Sequence, residues 1–284
     1  MKYFTWNCKG KLLYWEQPIV MGILNLTPDS FYDGGRLKDE TAILSQAEKM
    51  LNEGAAILDI GGMSTRPGAD IIAEEEELRR IEIPVQKIHQ HFPEAIISID
   101  TYRSRVVKTA IECGASVIND VSGGQEDEQI FEVAATMQTP LILMHRRGNS
   151  KDMQSKTDYE HILTDIYDFF LRQIKKAQQY EVKDLAIDLG YGFSKTLEQN
   201  YFLLQNQSYF TSLNYPILTG ISRKGMLYKL LETTPQEALN ATTAANMIAL
   251  MHDAAILRVH DVKEAVACIR IYQATVENDT FYSS

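Results

Sequence analysis

Cysteine is scarce in this chain. Of the 284 residues only three are cysteine, Cys8, Cys113 and Cys268, and their wide spacing fits neither a zinc site nor a redox pair. They are therefore expected to be reduced, structural thiols. The chain also lacks the run of about 18 apolar residues that a membrane helix requires, and the segment MKYFTWNCKG lacks the apolar core of a signal peptide. The sequence predicts a cytoplasmic protein with no membrane partner.

Basic residues are fewer than acidic ones, 28 against 38, and the formal net charge is -10. Because binding a phosphate backbone needs a broad basic surface, this balance argues against nucleic acid as the main partner. A small anion is still compatible with it, since a few lysines and arginines in a cleft can oppose the sign of the whole surface. The apolar share of 45% and the charged share of 23% are typical of a globular protein.

Short β-branched runs alternate with longer amphipathic segments along the chain. Eight runs are predicted to be strands: PIVMGILNL, AAILDIGG, AIISIDT, ASVINDV, PLILMH, DLAIDLG, YPILTGIS and AILRVHD. Strands that alternate with helices build a parallel sheet. Eight such units close into a (β/α)8 TIM barrel, whereas an open doubly wound sheet usually has about six strands.

The predicted barrel accounts for most of the chain, because such barrels commonly use roughly 250 residues. We therefore expect a single domain over residues 1–284. Within it, residues 1–17 are predicted to form an N-terminal β-hairpin that turns at Lys9 and Gly10 and plugs the amino-terminal end of the barrel. Residues 18–261 are predicted to form the barrel core, and residues 262–284 a C-terminal helix and tail.

A polar side chain stands at or just past the carboxyl end of each predicted strand. These residues are Asn25, Asp59, Asp100, Asn119, His145, Asp188, Ser222 and His260. In a barrel these ends converge on the face that carries the active site. A helix cap explains any one of them about equally well, but eight together favour a site. Asp100 and Asp188 end apolar runs, where a buried carboxylate must be paired or bound to a ligand.

Three further segments suggest an anionic ligand. GGMSTRPGA presents Arg66 on a flexible loop, which suits an anion that is clamped and released. TGISRKGM places Lys224 after the seventh strand without the spacing of a Walker A loop. In RVHD, Arg258 and His260 are two residues apart in a strand and share a face. Together with Lys224 on the neighbouring strand, they are predicted to form an oxyanion pocket.

The stretch MGILNLTPDSFYDGG follows its apolar run with Asn25 and a long polar loop. The side-chain oxygen of Asn25 suits Mg²⁺, which keeps several waters and shares phosphate oxygens with one or two protein ligands. The polar loop is predicted to close over the cation together with the Arg66 loop. By contrast, the acidic run Glu74–Glu77 is expected to be a solvated helix start that the helix dipole favours.

Together these segments resemble the signature segments of the dihydropteroate synthases, the pterin-binding enzymes of the folate pathway that sulfonamides target. The resemblance runs from about Pro18 to about Asp261, with one segment per strand in the same order. The segments are MGILNLTPDSFYDGG, DIGGMSTRPGA, SIDTYR, INDVSGG, LMHRRG, DLGYGF, ISRKGM and RVHDV. The family commonly has proline where this chain has Leu189, a change expected to shift the loop after Asp188 slightly, and often serine at Gly225.

The resemblance implies a homodimeric enzyme that joins 4-aminobenzoate to 6-hydroxymethyl-7,8-dihydropterin diphosphate, with Mg²⁺ as cofactor. Its products are 7,8-dihydropteroate and diphosphate. The implied catalytic residues are Asp100, Lys224, Arg258 and His260. The implied pterin-binding residues are Asp100, Asn119, Met144, Asp188, Gly220 and Lys224. The diphosphate would be held by Asn25, which would also bind the metal, and by Thr65, Arg66, Arg258 and His260. The 4-aminobenzoate would contact Phe31, Thr65, Pro67, Phe193 and Ser222.

The residue types themselves suit this chemistry. Carboxylates and amides complement the amino-pyrimidinone edge of a pterin, and cations neutralise a departing diphosphate. No activated side-chain nucleophile is evident in the sequence. We therefore expect a dissociative substitution, in which diphosphate leaves first, Asp100 stabilises the pterin-methylene cation and the arylamine then attacks. Two alternatives stay open: a methyltetrahydrofolate-dependent methyltransferase, which needs no diphosphate pocket, and a catalytically inactive pterin-binding barrel.

Overall fold

An antiparallel β-hairpin is present at residues 4–15 of the computed structural model, which describes residues 3–26, 36–64 and 68–279. Strand β1 (Phe4–Cys8) pairs with strand β2 (Lys11–Trp15) across the two-residue turn Lys9-Gly10. Both turn residues have positive φ, 52° and 88°, as a tight hairpin turn with matching twist requires. The turn lies where the sequence predicts it.

In the described part of the chain, eight parallel strands close a barrel and follow one another around it in chain order. They are β3 (Ile19–Asn25), β4 (Ile57–Gly61), β5 (Ile96–Asp100), β6 (Val117–Asp120), β7 (Leu141–Met144), β8 (Leu185–Asp188), β9 (Ile217–Thr219) and β10 (Ala254–Val259). Strand β10 pairs with both β9 and β3, which closes the sheet. The predicted (β/α)8 TIM barrel is confirmed.

Helices lie between the strands and cover the outside of the barrel, so the strands are buried on both faces and are rich in β-branched residues. The helices are α1 (Arg36–Asn52), α2 (Glu74–His91), α3 (Ser104–Glu112), α4 (Gln129–Met137), α5 (Ile162–Gln179), α6 (Leu197–Gln205), α7 (Gly225–Tyr228), α8 (Leu239–Met251) and α9 (Val262–Asp279). Short 3-10 segments span Met153–Ser155 and Gln207–Leu213.

The interior of the barrel is layered, because alternate residues of each strand point inward. The lowest layer, here called the floor, is apolar and consists of Met21, Ile57, Ile96, Val117, Ile142, Ala186, Leu218 and Ile256. Trp6 and Trp15 of the hairpin belong to the same cluster, with their ring centroids 5.1 Å apart. The hairpin therefore plugs the amino-terminal end of the barrel, as predicted, and separates the interior from solvent below.

The three cysteines are free thiols; Cys8 and Cys268 are buried and Cys113 is half-buried. Burial raises the pKa of Cys8 to about 12, and nearby Asp184 adds to the rise, so this thiol is protonated and unreactive at neutral pH. Within residues 3–26, 36–64 and 68–279, no helix has both the length and the apolar character needed to cross a membrane.

Candidate active site

Above the floor, the interior of the barrel becomes polar. This level, here called the polar layer, consists of Asp59, Ser98, Asn119, Asp188 and Arg258, all buried except Arg258, which is half-buried. The next inward position on β3, β4 and β5 is occupied by Asn25, Gly61 and Asp100. These three residues lie at the carboxyl-terminal mouth of the barrel, so the polar layer is the bottom of a pocket that opens at the mouth.

Arg258 connects two carboxylates inside this pocket. Its Nε donates to Asp59 Oδ2 and its Nη2 to Asp100 Oδ2, both over 2.6 Å. Burial alone would lower the pKa of Arg258, but the two carboxylates outweigh it and raise that pKa further, so the guanidinium is charged. Burial raises the pKa of Asp100 to about 7, which Arg258 opposes and Asp59 favours. Asp100 is therefore poised to change charge near neutral pH.

Four oxygens of the pocket are buried without a hydrogen-bond partner among the described residues: Asp59 Oδ1, Ser98 Oγ, Asp100 Oδ1 and Asn119 Oδ1. The amide nitrogen of Asn119 donates to Asp59 Oδ2 over 3.0 Å, so its oxygen is the end left unpaired. Buried polar atoms are rarely unsatisfied in folded proteins. The three carboxylate and amide oxygens in this cluster can only accept hydrogen bonds, so the cluster indicates a ligand that donates them.

A second carboxylate and a lysine form the opposite wall. Asp188 Oδ1 accepts from the backbone N–H of Gly190 over 2.8 Å, and burial raises the pKa of Asp188 although Lys224 opposes the rise. Burial lowers the pKa of Lys224 to about 8, against the effect of Asp188. Its Nζ donates to Tyr191 O over 2.5 Å. Gly220 lies between the walls, where a Cβ would be 3.9 Å from Asp188 Oδ2 and 3.8 Å from Arg258 Cβ.

Apolar side chains complete the pocket near the mouth. Val121, Met144, Met153 and Phe193 form a buried cluster separate from the floor. Lys224 Nζ lies 4.6 Å from the centroid of the Phe193 ring, a cation–π distance. The pocket thus pairs apolar faces with polar edges, which is the composition expected for a flat heteroaromatic ligand.

Ser222 and His260 lie side by side at the mouth. Ser222 Oγ is 3.1 Å from His260 Nδ1 and accepts from the backbone N–H of His260 over 3.2 Å. Ser222 is buried and His260 is half-buried, so their contact lies at the entrance to the pocket. His260 therefore stands where the exposed end of a ligand would emerge.

Comparison with known proteins agrees with this geometry. The family model described as "Pterin binding enzyme" matches residues 21–260. The chain is 41% identical over 278 residues to dihydropteroate synthase of Escherichia coli strain K12, covering 97% of each protein. The chain belongs to the dihydropteroate synthase family.

Solved structures of this family superpose closely on the chain. Dihydropteroate synthase of Yersinia pestis, determined as a sulfonamide drug complex, has a TM-score of 0.90 and 40% identity, and the match covers 96% of this chain and 100% of that one. The synthase of Xanthomonas albilineans with 4-aminobenzoic acid has a TM-score of 0.89 and 34% identity, with 95% and 97% covered. The family and the barrel fold are therefore shared.

Most of the residues that the family resemblance implies converge in the pocket. Those that the structure places at the polar layer or the mouth are Asn25, Asp100, Asn119, Met144, Asp188, Phe193, Gly220, Ser222, Lys224, Arg258 and His260. Phe31, Thr65, Arg66 and Pro67 lie outside the described residues, as do the loops that were predicted to close over a cation. The predicted oxyanion pocket is occupied by internal contacts, because Arg258 binds Asp59 and Asp100 while Lys224 binds Tyr191 O.

The side-chain oxygen of Asn25, the residue expected to bind Mg²⁺, lies at the mouth beside Gly61. A Cβ at Gly61 would lie 3.8 Å from Asn25 Oδ1 and 3.7 Å from Asp100 Oδ2, so the glycine leaves space between these two oxygens at the mouth. A neutral amide oxygen is a ligand that Mg²⁺ accepts, with phosphate oxygens and water completing the shell.

Two expectations from the sequence are wrong. His145 does not face the mouth: Met144 points inward, so the next residue points outward, and the His145 ring lies 5.0 Å from that of Phe169 on α5. Glu77 is not solvated: it is fully buried and Arg103 Nη1 donates to it over 2.7 Å. It shares the buried stripe of α2 with Ile81, at helical spacing.

Lys195 is a residue that the sequence reasoning missed. Its buried Nζ donates to the carbonyls of Gly190 and Phe193, each over 2.9 Å, and lies 3.2 Å from His145 Nδ1. Gly190 has φ +68° and lies so close to the His145 carbonyl that a Cβ would meet it at 1.9 Å. Lys195 thus fixes the loop that carries Phe193. No sequence pattern indicates this, since a lysine before a helix usually faces solvent.

The change from proline to Leu189 leaves the contact made by Asp188 in place. Leu189 is fully buried among the apolar residues outside the barrel, and Asp188 still accepts from the N–H of Gly190 over 2.8 Å. The side chain of Leu189 therefore adds apolar contact on the outer face of β8 without entering the pocket.

Proposed function

We propose that this chain is a transferase that condenses 6-hydroxymethyl-7,8-dihydropterin diphosphate with 4-aminobenzoate to give 7,8-dihydropteroate and diphosphate in folate biosynthesis. The observation that carries the proposal is the cluster of unpaired oxygens on Asp59, Asp100 and Asn119 inside a barrel sealed from below. The relatives that were solved with a sulfonamide and with 4-aminobenzoic acid support the same substrate class.

The pterin ring enters the pocket edge first. Its N–H groups donate to Asp188 and Asn119 in the polar layer and to Asp100 above them. Asn119 Oδ1 and Asp100 Oδ1 are buried acceptors without a partner among the described residues. Met144 and Phe193 cover its faces, and Lys224 contributes a donor beside Asp188. Hydrogen bonds to ionised carboxylates are roughly twice as strong as neutral ones, so these contacts orient the ring and direct its methylene carbon toward the mouth.

The diphosphate lies at the mouth between the ring and solvent. Arg258 is a charged donor of the pocket, and it reaches the diphosphate once the pterin has replaced it on Asp100. His260 and Ser222 stand beside it, and Arg66 and Thr65 are assigned to the same anion. Asn25 would hold Mg²⁺, which supplies neutralising charge to the leaving group when bound. The protein's own cations and donors stabilise the charge that collects on the departing oxygens.

The reaction is a dissociative substitution. The bond between the methylene carbon and the diphosphate oxygen breaks first, and its electron pair leaves with the diphosphate. Asp100, as a carboxylate at the mouth, faces the positive charge on the pterin-methylene unit. The amine of 4-aminobenzoate, held near Phe193, Ser222 and the predicted Phe31 and Pro67, then forms the C–N bond and releases a proton. The sealed floor limits competing attack by water.

The experiment that tests the proposed function is product formation by the purified chain, with and without Mg²⁺. We expect 7,8-dihydropteroate from the two substrates with Mg²⁺, and at least about a tenfold slower reaction after chelation, because neutralisation of the leaving group is lost. Product is measured by chromatography with radiolabelled 4-aminobenzoate. Pterin binding without product would contradict the proposal and favour a catalytically inactive barrel. Methyl transfer from methyltetrahydrofolate would favour the alternative that the chain is a methyltransferase.

The pH dependence of kcat/KM for the pterin substrate gives a second test. The reaction needs Asp100 ionised, and the pKa of Asp100 is raised to about 7, so activity should rise as the pH passes through about 7. It needs Lys224 protonated, and the pKa of Lys224 is lowered to about 8, so activity should fall above about 8. The pH dependence of kcat/KM reports the pKa values of the free enzyme, so we expect a narrow bell-shaped profile. A profile flat from pH 6 to 9 would contradict these assignments.

Several properties stay predictions. A homodimer is proposed through α8 and α9, on which Ile248, Met251 and Ile271 are exposed by 42%, 68% and 59%. Mg²⁺ as the cofactor, a cytoplasmic location and the absence of a nucleic-acid partner also stay predictions. The exposed apolar side chains support the dimer because such patches are typical of protein–protein contacts.

A further inference from the structure

Asp59 lies at the centre of the polar layer but does not reach the mouth. It is the middle residue of β4, it is fully buried, and its neighbour in the strand register is Ser98. The inward position above it is Gly61, so no side chain separates Asp59 from the space where the ligand binds. Burial of a carboxylate is energetically costly unless the group is paired. The partners of Asp59 therefore indicate its role.

A single oxygen of Asp59 organises two binding residues. Oδ2 accepts from Arg258 Nε over 2.6 Å and from Asn119 Nδ2 over 3.0 Å. The first contact holds Arg258 by the nitrogen nearest its aliphatic stem. Nη2 lies 2.6 Å from Asp59 Oδ2 as well as 2.6 Å from Asp100 Oδ2, so Asp59 contacts both nitrogens and Asp100 contacts only Nη2. The second fixes the direction of the Asn119 amide, since only its nitrogen can donate to a carboxylate. The buried oxygen of Asn119 is therefore presented as an acceptor without a partner.

We propose that Asp59 is a positioning residue for the pterin substrate: it orients the amide of Asn119 as an acceptor and anchors Arg258 while that guanidinium exchanges Asp100 for the ligand. The proposal rests on the proposed function. Arg258 stays attached through Nε, so Nη2 can leave Asp100 without the whole side chain losing its place. Asp100 is then free to face the pterin, and Arg258 to face the leaving group.

Asp59→Asn tests this role because the shape is kept and the charge is removed. Without that charge, Asp100 is the only carboxylate bonded to Arg258, and the pterin must compete with a stronger ion pair between Arg258 and Asp100. A carboxamide at position 59 also offers a donor, so the Asn119 amide loses its single orientation. We expect the KM for the pterin diphosphate to rise at least about tenfold, while the KM for 4-aminobenzoate stays within about twofold.

The pH profile is a readout that a purely structural role would not move. The charged and titratable groups that act on Asp100 are Arg258, Asp59, Glu77 and Asp188. Asp59 raises the pKa of Asp100, so its neutralisation should move the acidic limb of kcat/KM to lower pH by at least about half a unit. An unmoved limb, with both KM values unchanged, would overturn the proposal.

Asp120→Asn is the matched control. It also removes the charge of a fully buried carboxylate, but Asp120 accepts from the backbone N–H groups of Ser122 and Gly124 and not from Arg258 or Asn119. Both KM values and the acidic limb should therefore match those of the unchanged protein. If Asp59→Asn raises both KM values equally, the effect is a general distortion and the proposal is wrong.

Calorimetric binding of 6-hydroxymethylpterin separates this proposal from the proposed function. If the unchanged protein binds no pterin, the proposed function fails. If it binds and Asp59→Asn binds equally well, only the role of Asp59 fails. Should Asp59→Asn not fold, Asn119→Asp places an acceptor against Asp59 Oδ2 and is expected to weaken pterin binding at least about tenfold. Unchanged binding by that variant would overturn the proposal.

Discussion

Replacing Asp100 by asparagine is expected to lower kcat by about two to three orders of magnitude, the loss typical when one preorganised electrostatic contact to a transition state is removed. The physical reason is that Asp100 is the carboxylate at the mouth, and its Oδ1 is buried and unpaired among the described residues. An asparagine keeps the shape and an acceptor, but it offers no negative charge to the pterin-methylene cation. Single-turnover measurement of C–N bond formation is the direct assay.

The kinetic pattern distinguishes this role from simple binding. An interaction made only in the transition state lowers kcat and kcat/KM equally, whereas one made in both states raises KM. The acidic limb near pH 7 should also disappear in Asp100→Asn, since the group whose pKa is raised to about 7 is gone. A variant with unchanged kcat and a raised KM would leave Asp100 with its binding role alone and the pterin-methylene cation without its partner.

Asp120→Asn is a suitable control for Asp100→Asn. Asp120 is equally buried and lies on the neighbouring strand β6, but it accepts from the backbone N–H groups of Ser122 and Gly124 over 2.7 Å and 2.5 Å. Burial raises its pKa to about 6 against these hydrogen bonds. Its replacement should cost stability through the loop it caps, about 1–3 kcal/mol, with kcat retained. Loss of kcat in both variants would show that any buried carboxylate change disables the barrel.

Much of this site could be predicted from the sequence because a barrel gathers strand ends. Asp100, Asn119 and Asp188 each follow an apolar run, and parallel strands place those ends on one face. The hairpin turn is also local, because Lys9 and Gly10 carry the positive φ that the turn needs. Such features depend on residues close together in the chain.

The features that the sequence did not predict, or predicted wrongly, depend on contacts between distant residues or on the inward and outward alternation of a strand. The bond between Asp59 and Arg258 joins positions 199 apart, and it exists only because β10 closes the barrel onto β3. His145 was expected at the mouth because it is polar and follows a strand, but one step of alternation turns it outward. The burial of Glu77 depends on its ion pair with Arg103, the residue just before α3.

Arg258→Met is expected to lower kcat/KM by about a hundredfold to a thousandfold, because truncating one partner of a buried charge pair costs about 2–5 kcal/mol. In the unchanged protein Arg258 neutralises part of the charge on Asp59 and Asp100, with hydrogen bonds of 2.6 Å to each. Methionine fills the stem's volume but donates nothing. The diphosphate then lacks its donor, and Asp100 retains a proton at a higher pH.

The stability of Arg258→Met should depend on pH, because Asp100 retains its proton to a higher pH in this variant. Arg258 lowers the pKa of Asp100, so its loss raises that pKa further above the value in the unfolded chain. A carboxyl whose folded pKa is raised gives stability that is present at low pH and is lost as the pH rises through the folded pKa. The melting temperature of Arg258→Met should therefore fall more steeply between pH 6 and pH 8 than that of the unchanged protein. If the melting temperatures of the two proteins changed in parallel with pH, the proposed ion pair between Arg258 and Asp100 would be contradicted.

Arg258→Lys distinguishes the effect of the positive charge from that of the guanidinium geometry in the contacts with Asp59 and Asp100. A lysine restores one positive charge, so most of the lost stability at pH 8 should return. A single ammonium cannot reproduce the fork in which Nε holds Asp59 while Nη2 serves Asp100, because the guanidinium is planar and its donors are fixed. Activity should therefore stay low although stability recovers. If lysine restored turnover as well, the charge alone would suffice, and the anchoring of Arg258 through Nε would have no part in the reaction.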